Sequence, residues 1–213
     1  MSIDRRLALE CFMVDSKDID VPRNLIKKIT KLLMGLLSEV PLSDEAYSQS
    51  PRQRARKLAF EASLKAAGVS GSLAIPPGPL GMLTLLPDLA AVWRIQRQLV
   101  ADIASSYGKT AELSREQMFY CLFKHAAGQI IREVVIRGGE RILIKRASLQ
   151  VIQRVLRRIG VVVTERVVGR TISRWLPMVG AVGIGAYAFY DTAQVAKTSI
   201  SLFESQVDTE PER

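Results

Sequence analysis

The sequence contains few of the residues that build disulfide frameworks, metal sites and acid-base catalysts. Its 213 residues include two cysteines, Cys11 and Cys121, and one histidine, His125. Two cysteines this far apart exclude the dense disulfide framework of a small secreted domain, and they favour a reducing compartment. A single histidine leaves little for a zinc site or for general acid-base chemistry. We therefore expect no metal, no cofactor and no enzymatic activity.

Charge is absent from one long internal segment. The 22 residues from Ala66 to Pro87 carry no charged side chain. A helix of 22 residues is long enough to span a membrane. The segment contains four glycines and four prolines: Gly68, Gly71, Gly78, Gly81, Pro76, Pro77, Pro79 and Pro87. Because proline breaks helices and leaves carbonyls unpaired, a lipid-exposed span would strand polar backbone groups in hydrocarbon. We expect a buried or interfacial hairpin instead.

A second apolar block extends from Trp175 to Tyr190 and contains Gly180, Gly183 and Gly185. Its 16 residues would cover roughly 24 Å as a helix, less than the roughly 30 Å hydrocarbon core. A span over 175–196 would be long enough, but it would bury Asp191. We predict a second hairpin segment, packed in the protein core or at the membrane interface, with a single span as the alternative.

Positive charge is concentrated in one stretch. The formal net charge of the chain is +9, and the stretch from Arg132 to Arg174 alone carries +8. Such a local field favours an anionic partner. Nucleic acid is disfavoured, because the stretch contains no recognisable nucleic-acid-binding motif and almost no aromatic residues. The candidate lipid- or anion-binding residues are Arg154, Arg157, Arg158, Arg166, Arg170, Arg174 and Trp175.

Apolar residues recur at helical spacing through most of the chain. Helices are predicted from Pro22 to Pro41, from Pro51 to Gly68, and from Asp88 to Gly108. Ser114 and Gln117 form a capping box for the next helix. We read the stretch from Val134 to Leu176 as further helices, with a break at Gly138-Gly139.

The fold class that follows is all-α. We predict a compact bundle of about seven helices with the two Gly/Pro-rich apolar hairpin segments described above. Residues 1–49 form an N-terminal helix and linker, residues 50–204 form the main helical domain, and residues 205–213 form an acidic disordered tail.

Two pairs of residues would suit an enzyme. Asp88 and Asp191 each follow a Gly-rich block, and carboxylates flanked by apolar surface could share a cation or a proton. Cys121 and His125 lie four residues apart, which places them on one helix face, as a thiolate-imidazole nucleophile requires. The favoured interpretation is structural. Asp88 caps the helix that starts there, Asp191 bonds a hydroxyl or an arginine, and Cys121 is a small core residue.

Several motifs resemble the EcsC-like family of bacterial proteins. They are Gly68-Val-Ser-Gly71, the block from Pro79 to Asp88, the helix end from Ile103 to Lys109, and Leu176 running into Asp191. The resemblance covers roughly Pro51 to Phe203, and the cluster Pro76-Pro77-Gly78-Pro79 departs from it in its proline content. It implies an all-helical fold, a bacterial source and membrane association, and it carries over no catalytic residue. The motif residues are Gly68, Gly71, Gly81, Asp88, Tyr107, Gly108, Pro177, Gly180, Gly183 and Asp191.

We expect a non-enzymatic helical protein, peripheral on the inner face of the cytoplasmic membrane, whose basic helices bind anionic lipid as an accessory to a membrane system. A soluble protein-protein interaction module or homo-oligomer is the alternative. A hydrolase-type enzyme that uses Asp88 and Asp191, or Cys121 and His125, is the second alternative.

Overall fold

The computed structural model describes residues 23–37, 39–73, 85–131, 135–138, 141–144 and 177–207. Its helices are α1 (Arg23–Leu37), α2 (Pro51–Leu73), α3 (Leu85–Ser106), α4 (Arg115–Ile131) and α5 (Pro177–Val207). A 3-10 turn (Thr110–Glu112) joins α3 to α4, and two short strands follow α4. The helical fold is confirmed for these residues. The helices predicted between 145 and 176 lie outside them.

Two helices begin where local capping chemistry predicts. The carbonyl of Ser50 accepts the amides of Gln53 and Arg54, both at 3.1 Å, at the start of α2. At the start of α4, the Ser114 amide donates to the Gln117 side chain at 2.9 Å, and the Gln117 amide donates to the Ser114 hydroxyl at 3.2 Å. This reciprocal pair satisfies two amides that a helix otherwise leaves free, and the predicted capping box is confirmed.

Helix α3 ends at a left-handed glycine, as predicted. Gly108 has a φ of +70°, its amide donates to the carbonyl of Ser105, and the next amide, that of Lys109, donates to Ala104. These two bonds form a Schellman motif, which needs a left-handed residue after the last helical turn. The ring of Tyr47 lies directly over Gly108, so the segment 39–50 covers this helix end.

Helix α2 does not end at Gly68 as expected. It continues through Gly68 and Gly71 to Leu73, and it packs most extensively on α5. A Cβ atom on Gly185 of α5 would lie 3.0 Å from the Ala67 carbonyl oxygen. The glycine allows the two backbones to approach closely, which outweighs the helix propensity that glycine lacks.

The second Gly-rich block is also not a hairpin. Residues 177–207 form one continuous helix, α5, which passes through Gly180, Gly183 and Gly185. Of these glycines, Gly185 packs against α2, whereas a Cβ on Gly183 would meet nothing within 4 Å. The predicted hairpin over 175–190 is therefore wrong for its described residues. The first block lies partly in α2 and α3, and its residues 74–84 are outside the described ranges.

A two-stranded antiparallel hairpin replaces part of the helix predicted after Val134. Strand β1 (Val135–Gly138) pairs with β2 (Arg141–Ile144), with Val135 opposite Ile144 and Gly138 opposite Arg141. Valine and isoleucine favour strands, because their branched side chains lose freedom in a helix. Gly138, interpreted together with Gly139 as a helix break, is instead the last residue of β1.

The core is shared by all of the long helices. Ile29 and Leu33 of α1 are almost completely buried. They pack with buried residues of α3, α4 and α5, including Val100, Ile103, Met118, Phe119, Leu202 and Phe203. The segment 39–50 is fastened along α3: Ser43 donates to the Asp102 carboxylate at 2.7 Å, and the Ser48 amide donates to the Ser106 carbonyl at 3.1 Å. The N-terminal helix thus contributes to the same core as the main domain.

Several chain ends meet at one end of the bundle. Helix α5 runs antiparallel to α2, since Arg52 pairs with Glu204 at one end and Gly185 packs on Ala67 near the other. Ser70 bonds Asp88 in the first turn of α3, which brings the start of α3 to the same place. Helix α4 is antiparallel to α5 as well, because His125 meets Asp191 further along α4 than Cys121 meets Ser199. We call this the junction end: α2 and α4 finish there, and α3 and α5 begin there.

Candidate functional site

The predicted lipid-binding residues lie outside the described part of the chain. This applies to Arg154, Arg157, Arg158, Arg166, Arg170, Arg174 and Trp175, and also to Gly81 of the motif set. The other motif residues are placed: Gly68 and Gly71 on α2, Asp88 on α3, Tyr107 and Gly108 at the end of α3, and Pro177, Gly180, Gly183 and Asp191 on α5. Both predicted aspartates thus belong to helices of the core.

Asp88 is buried and bonded to a hydroxyl. Its side chain accepts a hydrogen bond from Ser70 Oγ at 2.7 Å, and the two residues are 7% and 2% exposed. Because a buried carboxylate requires hydrogen-bond donors, this contact fixes the first turn of α3 against the last turns of α2. Asp88 was expected to cap the start of a helix, but α3 begins at Leu85 and Asp88 lies within its first turn. Ser70 itself was not predicted.

Asp191 lies at the centre of a polar cluster that joins three helices. Its Oδ1 lies 2.8 Å from His125 Nε2 on α4, and its Oδ2 accepts a hydrogen bond from Gln96 Nε2 of α3 at 2.8 Å. Tyr187, one turn earlier on α5, donates a longer bond of 3.4 Å to Oδ1. Gln96 is 1% exposed and also donates to Thr192. These contacts satisfy polar groups inside an otherwise apolar core.

The ring of His125 is held by one of its two nitrogens. Nε2 contacts Asp191, while Nδ1 is buried and makes no hydrogen bond within the described part of the chain. The side chains of His125 and Asp191 are 18% and 17% exposed, so water screens this pair far less than a surface ion pair.

The Cys121 thiol is not arranged as a nucleophile. Cys121 is fully buried, and burial raises its pKa to about 12 despite an opposing contact with the Ser199 hydroxyl. Nucleophilic cysteines are thiolates in partly exposed, electropositive surroundings. The predicted pairing of Cys121 with His125 therefore gains no support, since the histidine bonds Asp191 instead.

The two aspartates lie apart from each other and have different partners. Asp88 bonds Ser70, whereas Asp191 bonds Gln96, which lies eight residues further along α3. Eight residues correspond to about 12 Å of helix. Each carboxylate thus has its own partners, and the geometry favours structural roles for both.

Tyr107 completes the motif residues with described side chains. Its hydroxyl donates to Glu204 Oε1 at 3.1 Å, and Arg52 Nε lies 3.3 Å from the same oxygen. Burial and the neighbouring carboxylate raise the pKa of Tyr107. The contact ties the end of α3 to the last turns of α5, so Tyr107 stabilises the end of the bundle opposite the junction end.

The described residues contain neither a metal-binding cluster nor a membrane-spanning helix. No three His, Cys, Asp or Glu side chains in these ranges lie close enough together to hold a metal ion. None of the described helices, α5 included, is both long enough and apolar enough to cross a bilayer.

Comparison with known proteins gives no relative: no family model, no curated protein and no solved structure matches this chain. The resemblance to the EcsC-like family therefore stays a prediction.

Proposed function

We propose that this protein is a non-enzymatic peripheral protein of the inner face of the cytoplasmic membrane, which binds anionic lipid as an accessory to a membrane system. We further propose that the helical periodicity around Arg154 to Arg158 marks additional helices. The protein would then contain about seven helices and resemble the EcsC-like family in its fold.

The supporting observation is the convergence of chain ends at the junction end. The uncharged segment 74–84 connects Leu73, the last residue of α2, to Leu85, the first residue of α3. The basic stretch begins just after Ile131, the last residue of α4, includes β1 and β2, and precedes α5, which begins at Pro177. Both segments with the composition of a membrane-facing element are therefore attached at the same end of the folded helices.

This arrangement matches what an anionic bilayer recognises. Lysine and arginine near the membrane surface each contribute about 1 kcal/mol of attraction, and uncharged apolar residues gain by entering the interface. A stretch carrying +8 beside an uncharged segment would present both contributions to one planar surface. A binding module for nucleic acid would use the charge but not the uncharged segment.

The test is co-sedimentation of the full chain with phosphatidylcholine vesicles, with and without phosphatidylserine, across a salt series. We expect binding only to the anionic vesicles, weakening as salt shortens the range of charge attraction. The variant Arg166→Glu, Arg170→Glu, Arg174→Glu should abolish binding. The matched control is Lys27→Glu, Lys28→Glu, Lys31→Glu, which changes the net charge equally on the exposed side of α1.

Equal losses of vesicle binding in the two triple variants would show that binding depends on net charge alone. This result would contradict a specific basic surface. A folded wild-type protein that stays in the supernatant with both kinds of vesicle would overturn the proposal. In that case a defined oligomer in solution would favour the interaction module.

A further inference from the structure

Two neighbouring helices carry large apolar side chains that face solvent. Phe60 and Leu64 on α2 are 58% and 51% exposed, and Val182 and Tyr190 on α5 are 73% and 60% exposed. Aromatic and aliphatic side chains of this size, grouped on a surface, mark a binding site more often than isolated exposed residues do.

Phe60 and Phe189 connect the two helices at this surface. The rings of Phe60 and Phe189 contact edge to face, with centroids 6.2 Å apart and an interplanar angle of 81°. Leu64 follows Phe60 by one turn of α2, and Val182 precedes Phe189 by two turns of α5, so each pair shares a helix side. We define the apolar face as Phe60, Leu64, Val182, Phe189 and, at its margin, Tyr190.

Cationic side chains border this face. Arg56, Lys57 and Lys65 are exposed on the turns of α2 that carry Phe60 and Leu64, and Glu61 is the acidic residue among them. The local balance is three cations to one anion. Apolar residues bordered by lysine and arginine are the composition of a helix that lies in a membrane interface, and a tyrosine at the margin suits the headgroup level.

The face also leads to the junction end. Val182 lies in the early turns of α5, close to Pro177, and α2 continues from Leu64 to its end at Leu73. The side of the bundle that bears the apolar face therefore reaches the junction end, where α2 ends and α5 begins.

We propose that the apolar face is a membrane-docking surface: Phe60, Leu64 and Val182 enter the headgroup region of an anionic bilayer, while Arg56, Lys57 and Lys65 contact lipid phosphates. This inference rests on the proposed function and assigns it a surface among the described residues. A second copy of the chain fits less well, because a two-fold interface would bring the same cations of both copies together.

The experiment measures vesicle partitioning of the full chain with Phe60→Ser and Leu64→Ser combined. Removing two apolar side chains from the interface should weaken binding to phosphatidylserine-containing vesicles by at least about tenfold. The matched control is Leu42→Ser, since Leu42 is 89% exposed but lies in the segment 39–50, away from the face. Melting temperatures of all variants establish that each protein is folded.

A second arm tests the cations. Lys57→Glu with Lys65→Glu should also weaken binding to anionic vesicles, whereas Lys27→Glu with Lys28→Glu on α1 should change it much less. Wild-type binding that none of the face variants alters would overturn the docking surface while leaving the proposed function intact. Absence of wild-type binding would overturn both.

A site-specific probe reports insertion directly. In a Cys11→Ser background, Leu64→Cys can be labelled with an environment-sensitive fluorophore, because Cys121 is fully buried. We expect a blue shift on anionic vesicles for the label at 64 and none for the label in Leu42→Cys. A blue shift at 64 that depends on protein concentration and needs no vesicles would identify a second copy as the occupant and overturn the proposal.

Discussion

The Nε2 atom of His125 lies 2.8 Å from Oδ1 of Asp191. This contact connects α4 with α5 through two residues that are 66 positions apart in the chain. Gln96 of α3 binds the other oxygen of the same carboxylate at 2.8 Å. One aspartate thus holds α3, α4 and α5 at a common point. The cluster sets the relative positions of these helices in a core that is otherwise apolar.

We predict that Asp191→Ala lowers the free energy of unfolding by about 2 to 3 kcal/mol, because the buried Gln96 amide and the His125 ring lose their acceptor. His125→Ala should cost less, about 1 kcal/mol, since the Gln96 bond survives. Urea unfolding measures both, and the double variant should reveal a coupling of about 1 kcal/mol. Strictly additive effects would show that the two side chains do not interact.

Near the crossing of α2 and α5, we predict opposite effects on stability for alanine substitutions at two nearby glycines. Gly185→Ala should destabilise the protein by about 1 to 3 kcal/mol, since its Cβ would lie 3.0 Å from the rigid Ala67 carbonyl oxygen. Gly183→Ala meets nothing within 4 Å and should stabilise α5 by about 0.5 to 1 kcal/mol. Thermal melts of both variants check the pair. A stabilising Gly185→Ala would contradict the close approach.

Gly108 is predicted to be sensitive to backbone strain. Its φ of +70° is unfavourable for a side chain, and a Cβ there would lie 3.3 Å from the Tyr47 ring. We expect Gly108→Ala to lower stability by about 1 to 2 kcal/mol. Gly108→Asn should be tolerated better, because asparagine adopts the left-handed region more readily. Equal melting temperatures for the two variants would argue against strain as the cause.

Because Cys121 is buried, we predict that the folded protein loses stability at high pH. Burial raises its pKa from 9.0 to about 12, so the folded protein keeps a proton that the unfolded chain releases above pH 9. The stabilisation is complete below the unfolded pKa, and it is lost as the pH rises toward 12, by on the order of 1 kcal/mol per pH unit. Urea midpoints between pH 8 and about 10.5 should fall more steeply for the wild type than for Cys121→Ser. The comparison between the two proteins removes the contribution of Tyr107, whose raised pKa acts in the same direction.

Reactivity checks the same thiol independently. In a Cys11→Ser background, Cys121 should not react with a thiol reagent until the protein is unfolded in urea. Rapid modification of the folded protein at neutral pH would contradict the buried environment and would reopen the question of a nucleophilic role.

Local sequence signals predicted the start of α4 and the end of α3, and long-range packing limited the rest. The capping pair of Ser114 and Gln117 and the terminating Gly108 act within one turn, so the sequence alone reveals them. Gly185 lies in a continuous helix, because the benefit of its close approach to the Ala67 carbonyl depends on a partner helix far along the chain. Sequence spacing could not supply that partner.

The candidate site shows the same limit. Spacing paired His125 with Cys121, because both lie on one face of α4, whereas the folded chain pairs His125 with Asp191 of α5. Asp88 was expected to cap a helix start, whereas it bonds the Ser70 hydroxyl of α2. The apolar face was missed as well, although Phe60 and Leu64 recur at a spacing of four beside Arg56 and Lys57. Helical spacing shows which residues share a side, but not whether another helix covers that side.

The pairing of α2 with α5 also determines when the fold can close. These two helices make the most extensive contact in the described bundle, yet α3, α4 and the whole basic stretch separate them along the chain. During synthesis, α2 leaves the ribosome long before its partner exists. The small side chains around Ala66 on α2 and the apolar side chains of α3 then remain uncovered until α5 arrives. The nascent chain therefore depends on late, long-range docking and on whatever shields those surfaces in the interval.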